Sequence, residues 1–258
     1  MSIQSIDRAL AILFLFSAAK TQLGITEIGR SLGLNNPTAH GLVKTLVENG
    51  FLEQDPDTKK YSLSVRNFEL GYFYLGSSKV YQAGAVATHR LAQKTGLTTR
   101  LAIRDKDSVV IILTVYSRAE KFQYVQIGPR IPHYCTGLGK GIIGWIPHDE
   151  LTAYFERVEL RPYTHRTITD RKRLLEDLEN ARMRGYATDR QELITDVVCA
   201  GAPIFDQSGK PIAALSISSD SQLLALENLS ELTDKLIQTT KEISYSMGYN
   251  PIITPLKV

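Results

Sequence analysis

The N-terminal third of the chain is a succession of short apolar stretches whose spacing is helical. Ser5 can cap a first helix, because apolar residues recur after it every three or four positions. The face that this spacing predicts to be buried consists of Ile6, Leu10, Leu13 and Phe14. A first amphipathic helix is therefore expected near the N-terminus.

Two further helices are predicted between residues 26 and 50. Thr26 can cap the first, which ends at Gly33, and Asn36 can cap the second, which has Pro37 at its first position and runs to Asn49. The inward face of the second helix is expected to hold Ala39, Leu42, Val43 and Leu46. Two helices joined by a short glycine-containing turn indicate a helix-turn-helix.

Polar positions on the second of these helices suit a nucleic acid. Short polar side chains near a helix N-terminus can reach base edges and phosphates in a major groove. The candidate DNA-contacting residues on this helix are Asn36, Thr38, His40, Lys44 and Thr45. The segments FLEQ and YSL then predict two short strands around a turn, with Lys59 and Lys60 near its tip. Such a wing normally lies along a groove or backbone, and any three-helix unit shows a similar apolar stripe.

Charge does not decide between DNA and protein as the partner of this region. Residues 1–75 contain seven basic and seven acidic side chains, a balance that is unusual for a DNA-binding domain. The whole chain has a net charge of +3 and a pI near 8.7, which permits a polyanionic partner without requiring one. A sensor or adaptor whose winged helix contacts protein is therefore kept as the alternative function.

A helix over residues 65–76 is apolar almost all round, and a pattern of this kind is typical of packing against another subunit or another domain. From residue 80 strands and helices are mixed. Strands are predicted at 98–104, 109–117, 121–126, 197–205 and 211–218, and helices at 80–95, 138–146, 149–158, 171–184 and 221–247. Antiparallel strand pairs with flanking helices predict an α+β sensor-type domain.

The chemistry-bearing residues do not form a catalytic or metal-binding pattern. His133 and Cys135 could share a metal, but the histidines show no paired spacing such as HExxH. The segment TGLGKG departs from the Walker pattern at two positions, and there is no GxSxG motif. No enzyme activity, metal or cofactor is expected. The apolar run over residues 9–19 is too short for a membrane span, and two cysteines suggest a reducing, cytoplasmic location.

A small-molecule site is better supported by the second half of the chain. Gly137 and Leu138 begin a helix, where free amides and the helix dipole favour an anion such as a carboxylate. Ser216 and Ser218 alternate by two, so they face the same side of a strand that Cys199 can also reach. Each of these features also has an ordinary interpretation, since serines can satisfy local backbone and GLGKG can be a tight helix entry.

Four N-terminal segments carry a specific combination of residues, namely SIDRALAIL, ITEIGRSLGL, PTAHGLVKTLVENGFLEQDP and KKYSLS. This combination closely resembles the N-terminal domain of the IclR family of bacterial transcription regulators, and the resemblance continues through nearly the whole chain. Family members usually carry Ser at the position of Pro37 and Arg at the position of Gly41. The missing arginine removes a strong phosphate or guanine contact.

The resemblance implies a cytoplasmic transcription regulator that binds a palindromic DNA operator as a homodimer or homotetramer. It implies a winged helix-turn-helix over residues 1–64, a linker and dimerisation helix over 65–79, a GAF/PAS-like effector domain over 80–250 and a tail over 251–258. The effector-binding residues that it implies are Gly137, Leu138, Asp189, Cys199, Ser216 and Ser218. A second carboxylate beside an anionic ligand is repulsive, so Asp189 must either be protonated or accept a hydrogen bond from the ligand. A small hydroxylated or keto acid is the expected effector.

Overall fold

The computed structural model describes residues 2–116, 128, 130–220 and 229–254. The chain forms two compact units, Met1–Ser77 and Ser78–Val258. In the first unit the elements are α1 (Gln4–Leu13), α2 (Ile25–Ser31), α3 (Asn36–Glu48), β1 (Leu52–Gln54), β2 (Tyr61–Leu63) and α4 (Arg66–Ser77). Strands β1 and β2 are antiparallel neighbours, so α2, α3 and this pair form the predicted winged helix-turn-helix.

The core of the first unit joins all three N-terminal helices to the wing. Ile12, Ile28 and Val43 are buried together with Leu52 and Tyr61, one contribution from each of α1, α2, α3, β1 and β2. The inward face predicted for α3 is confirmed, with Ala39, Val43 and Leu46 buried and Leu42 half-buried. The recognition helix is thus held by its apolar face, which leaves its polar face outward.

The prediction for the first helix is wrong in two respects. Helix α1 begins after Ile3, whose side chain makes no capping hydrogen bond, so Ser5 is not the cap. The one buried residue of α1 is Ile12, whereas Ile6, Leu10 and Phe14 are exposed. The first unit offers these three side chains no apolar partner, because only the opposite face of α1 packs on its core.

Helices α2 and α3 both start earlier than predicted. Helix α2 begins after Gly24, whose carbonyl accepts from Ile28 N at 3.0 Å, so Thr26 lies inside the helix. The cap of α3 is Asn35, whose Oδ1 accepts from Thr38 N at 2.9 Å. Asn36 is therefore the first helical residue and not the cap, since the extended backbone of Asn35 already places its side chain over the first turn.

Helix α4 is continuous and carries no buried residue within the single chain. Five of its large apolar side chains are about half exposed or more, namely Phe68, Leu70, Tyr72, Phe73 and Tyr74. The predicted apolar character of this segment is therefore present as an exposed surface.

The second unit is built on a six-stranded antiparallel sheet with the order β5-β4-β3-β8-β7-β6. Its strands are β3 (Thr98–Asp105), β4 (Ser108–Val115), β5 (Arg130–Pro132), β6 (Ala187–Arg190), β7 (Val197–Phe205) and β8 (Pro211–Asp220). Its helices are α5 (Lys79–Thr95), α6 (Gly137–Ile143), α7 (His148–Arg157), α8 (Arg171–Arg184) and α9 (Leu229–Ser246). The α+β class is confirmed, and the hairpin of β7 and β8 has the predicted bounds at its turn.

Some predicted elements differ from the structure. The short strands β5 and β6 were not predicted, and α6 ends at Ile143 instead of residue 146. The predicted strand at 121–126 and the first part of the predicted final helix, 221–228, lie outside the described residues. Three- and four-residue strands carry too few alternating positions for a pattern to mark them.

The two faces of the sheet carry different helices. Leu101 of β3 lies against Gly84 of α5 and close to Ile243 of α9. The next residue, Ala102, points to the other face and packs in one cluster with Leu138 and Ile142 of α6. Helix α6 therefore lies on the face of the sheet opposite to α5 and α9. None of the helices in the described ranges is long and apolar enough to cross a membrane.

Candidate nucleic-acid interface and effector site

The outward face of α3 carries the predicted DNA-contacting residues. Asn36, His40, Lys44 and Thr45 are exposed, and Thr38 is half-buried. The Thr45 hydroxyl donates to the carbonyl of Gly41 at 3.0 Å, so its oxygen is available mainly as an acceptor. Nζ of Lys44 lies 3.7 Å from Glu48, and this exposed pair reduces the local positive charge.

The turn of the wing is organised by Asp55. Its Oδ1 accepts from the backbone N–H groups of Thr58 at 2.7 Å and of Asp57 at 3.0 Å, and these hydrogen bonds lower the pKa of the Asp55 carboxyl. Lys59 follows with a left-handed backbone, φ 57°, and both Lys59 and Lys60 are exposed. The hydrogen bonds accepted by Asp55 thus organise a turn that exposes two lysines, and their contact with phosphates stays a prediction.

Gly41 lies in open space on the outward side of α3, where DNA contacts are predicted, since a Cβ built there meets no atom within 4 Å. The substitution Gly41→Arg is expected to raise the free energy of unfolding by about 1 kcal/mol, because glycine is a poor interior helix residue. It is also expected to tighten DNA binding, since it adds a positive charge to this face. Thermal denaturation and DNA titration of Gly41→Arg measure the two effects, and Gly41→Ala separates helix propensity from charge. A lower melting temperature for Gly41→Ala would contradict the exposed position.

In the second unit, the predicted effector-binding side chains lie in one region of the sheet. The register pairs Asp189 with Cys199 and Cys199 with Ser218, so these three side chains form a row across β6, β7 and β8. The same register pairs Gly201 with Ser216 in the neighbouring row. Directly paired residues share a face, and residues two apart share it too, so all five belong to one face of the sheet.

Helix α6 begins directly over this face. A Cβ built on Gly201 would overlap the carbonyl oxygen of Gly137, so the two backbones touch and the strand has no room for a side chain there. A Cβ built on Gly137 would lie 3.1 Å from the Cβ of Cys199, which is a tight contact. The Thr136 Oγ1 accepts from Gly139 N at 2.9 Å, while the first-turn amides of Gly137 and Leu138 have no acceptor within the helix. The structure thus brings the predicted helix start next to the predicted polar row.

Asp189 is buried, with 3 % of its surface exposed. Burial raises the pKa of its carboxyl to about 7, although the N–H of Glu192 donates to its Oδ1 at 2.7 Å and opposes this effect. The negative charge of Glu192 adds to the increase in pKa, and Lys140 acts against it. Near neutral pH both protonation states of Asp189 are therefore populated.

The lysine of the segment TGLGKG has a structural role. Lys140 is fully buried, and its Nζ lies 2.7 Å from a carboxylate oxygen of Glu192 and 2.7 Å from one of Asp177. Its ammonium group is thus paired with two carboxylates within the protein, and it is not positioned to bind a phosphate. Because Glu192 N donates to Asp189, the same cluster fixes the loop that follows Asp189.

Arg100 was missed by sequence reasoning. It lies on β3 opposite Ser216 and is 4 % exposed, so it belongs to the same face of the sheet. Its Nη1 donates to the Ser218 hydroxyl, whereas Nε and Nη2 have no hydrogen-bond partner among the described residues. The Ser218 hydroxyl in turn donates to the carbonyl of Thr98 at 3.4 Å. The one available signal was an arginine inside TTRLAI, the first six residues of β3, which are otherwise uncharged.

His133 and Cys135, the weak candidates for a metal site, are both buried. Burial lowers the pKa of His133 to about 4 and raises the pKa of the Cys135 thiol to about 12. A high thiol pKa disfavours the thiolate that a metal requires. Within the described parts of the chain no group of three or more histidine, cysteine, aspartate or glutamate residues could hold a metal ion.

A winged helix-turn-helix followed by a separate α+β domain is an architecture typical of transcription regulators. Two family models match the chain: the IclR helix-turn-helix domain over residues 5–56 and the C-terminal domain of the bacterial transcriptional regulator IclR over residues 72–245. The chain belongs to the IclR family and is a DNA-binding transcriptional regulator.

Individual relatives agree with this assignment. The chain is 34 % identical to the HTH-type transcriptional regulator XynR of Escherichia coli over 96 % of its own length and 98 % of that protein. It is 30 % identical to the crystal structure of Thermotoga maritima IclR, with a TM-score of 0.78 over 96 % of this chain and all of that one. An IclR homolog from Microbacterium hydrocarbonoxydans, solved with 4-hydroxybenzoate, shares the fold with a TM-score of 0.81 at 22 % identity, over 94 % of this chain and 98 % of that one.

Proposed function

We propose that a small carboxylic acid, bound between α6 and the sheet of the second unit, controls how tightly this regulator binds its DNA operator. The observation that carries the proposal is the convergence of Asp189, Cys199, Ser216 and Ser218 on the face where α6 begins. The amides of Gly137 and Leu138 supply donors for a carboxylate, and Asp189 can exchange a hydrogen bond with a hydroxyl or keto oxygen. A hydroxylated or keto acid fits this set of groups.

We propose that successive segments of the chain have separate functions. Residues 1–64 bind DNA, residues 65–79 form a linker and dimerisation helix, residues 80–250 bind the effector and residues 251–258 form a tail. The exposed aromatic surface of α4 supports a homodimer or homotetramer, because a patch of this size is unfavourable in water. Two copies of the winged helix would then engage the two halves of a palindromic operator and double the small number of basic contacts.

The test begins with an operator selected from random DNA by the full-length protein. Binding of that operator is measured by fluorescence anisotropy while a panel of acids is added, including pyruvate, glycolate, glycerate and 4-hydroxybenzoate. Effector control predicts that at least one hydroxy or keto acid changes operator affinity by about 5- to 150-fold, the usual range of allosteric coupling. Failure of every acid to change operator affinity while the acids bind would contradict the proposal.

The wing lysines provide a separate test of the DNA interface. A Lys59→Ala, Lys60→Ala protein is expected to bind all DNA sequences more weakly, because phosphate contacts carry no sequence information. The slope of log affinity against log salt should fall by about 1 for each phosphate that a lysine no longer neutralises. Thr38→Ala and Thr45→Ala should instead change the preference between operators. Salt titrations of each variant on two operators measure both quantities.

Lys210→Ala is the matched control, since Lys210 is an exposed lysine on a turn of the second unit. Its DNA affinity and salt dependence should equal those of the unsubstituted protein. The alternative function, a sensor whose winged helix contacts protein, predicts that no operator is selected at all. An unchanged salt slope in the Lys59→Ala, Lys60→Ala protein would show that the wing does not lie on the DNA backbone.

A further inference from the structure

A buried positive charge remains uncompensated on the face under α6. Arg100 is 4 % exposed, and no carboxylate of the described residues forms an ion pair with it. The other buried cation near this face, Lys140, is paired with Asp177 and Glu192. An arginine side chain carries a positive charge in proteins, so a buried one calls for an anionic partner.

Such an arrangement is costly for the protein without a ligand. Burying a charge without a partner destabilises a fold strongly, and buried N–H donors are almost always satisfied. Both Nε and Nη2 of Arg100 are buried donors without a partner among the described residues. An anion bound here would supply both the missing charge and the missing acceptors.

The orientation of the guanidinium indicates the shape of that anion. Ser218 holds Nη1, and its hydroxyl is itself committed to the Thr98 carbonyl, so Ser218 anchors Arg100. The atoms left over, Nε and Nη2, form one side of the planar guanidinium. Two parallel N–H groups on one edge match the two oxygens of a carboxylate, which accepts them in a bidentate pair.

We infer that the Nε–Nη2 edge of Arg100 binds the carboxylate of the effector, so that the site selects monocarboxylate anions over neutral analogues. This inference rests on the proposed effector function and assigns its charge recognition to a residue that faces the same row of side chains. One uncompensated charge calls for one anionic group. A second carboxylate on this face would add a negative charge near Asp189, which repels it when ionised.

The first experiment uses formate as the probe, because it is the smallest carboxylate and does not depend on knowing the effector. The melting temperature of the full-length protein is measured in 100 mM formate and in chloride of equal ionic strength. Binding at about 5 mM affinity should raise the melting temperature by about 4 °C. Arg100→Met should abolish the formate-specific shift, whereas Arg166→Met, at an exposed arginine of the same unit, should retain it.

The chloride measurements add a readout that a structural role would not give. If Arg100 is uncompensated in the ligand-free protein, Arg100→Met should melt at the same temperature as the unsubstituted protein or higher. Arg100→Lys keeps the charge but not the two-point edge, so it should keep a reduced formate shift. A formate shift of equal size in the unsubstituted and Arg100→Met proteins, or no shift in either, would overturn the inference. A large loss of stability of Arg100→Met in chloride would overturn it as well.

The second experiment separates this inference from the proposed function. Calorimetry compares 4-hydroxybenzoate with 4-hydroxybenzamide, and glycolate with glycolamide, on the unsubstituted and Arg100→Met proteins. The acids should bind at least tenfold more tightly than the amides only where Arg100 is present. If an acid binds and changes operator affinity equally in both proteins, effector control is supported and the role of Arg100 is contradicted. If the formate-dependent increase in melting temperature requires Arg100 but no acid changes operator affinity, the carboxylate site is supported and effector control is contradicted.

Discussion

Replacing Lys140 with methionine is expected to lower the free energy of unfolding of the second unit by about 3–5 kcal/mol, because it removes one partner of a buried charge cluster. The carboxylates of Glu192 and Asp177 each lose an ion pair of 2.7 Å, and one oxygen of Glu192 already lacks a hydrogen-bond partner among the described residues. Chemical denaturation followed by tryptophan fluorescence measures the effect, since Trp145 lies close to the end of α6.

The pH dependence of the loss of stability in Lys140→Met shows whether that loss comes from the missing charge or from altered packing. Burial raises the pKa of Glu192 even with Lys140 in place, so without the lysine its ionised form is disfavoured further in the folded protein. The destabilisation by Lys140→Met should therefore be largest at pH 8 and smaller at pH 5, where Glu192 can take up a proton. Lys235→Met is the control, because Lys235 pairs with the exposed Glu231 on the surface of α9, where an ion pair contributes little to stability. An equal loss for Lys140→Met at both pH values would indicate packing alone.

Removal of the Asp189 carboxyl is expected to have the largest effect on ligand response. Asp189→Ala should lose most of the response to an acid effector while ligand-free DNA affinity is nearly unchanged, because the operator-binding residues belong to the other unit. The protonation of Asp189 adds a dependence on pH. An incoming carboxylate repels the ionised side chain, so the neutral form, which predominates below the pKa of about 7, should bind more tightly.

For the unsubstituted protein, acid affinity should fall about tenfold between pH 6 and pH 8, since the neutral fraction of Asp189 falls by that factor. Asp189→Asn is permanently neutral and should bind with little change over the same range. Calorimetry with the strongest acid of the panel checks both expectations. The contacts of Asp189 with the Glu192 backbone, and the fields of Glu192 and Lys140, are present in both proteins and cancel in the comparison. An affinity that rises with pH would show that ionised Asp189 accepts a hydrogen bond from the ligand instead.

The sequence predicted most of the secondary structure because helices and long strands repeat their pattern several times. The inward face of α3 and the hairpin of β7 and β8 agree with the structure for this reason. The buried face of helix α1 was predicted wrongly. Periodicity identifies an apolar face of a helix, but it does not show whether other residues of the same unit pack against that face. The caps of α2 and α3 were displaced by one or two residues, since neighbouring residues can serve the same turn.

The candidate effector site was less predictable. Ser216, Ser218 and Cys199 were grouped by strand alternation, whereas Asp189 entered only through resemblance to a family, because β6 is too short to show a pattern. Arg100 was missed because a charge inside an apolar strand is usually solvated at an edge. Its importance depends on the register between β3 and β8, which places it opposite Ser216, and no local pattern encodes that pairing.

The contact between Gly137 and Gly201 has a mechanical consequence. Two main chains that touch directly have no rotamers to adjust, so a ligand wedged beside them cannot be accommodated by turning a side chain. Lys140, three residues further along α6, is paired with Asp177 on α8 and with Glu192 after β6. A shift of the start of α6 would therefore be coupled directly to both of these elements.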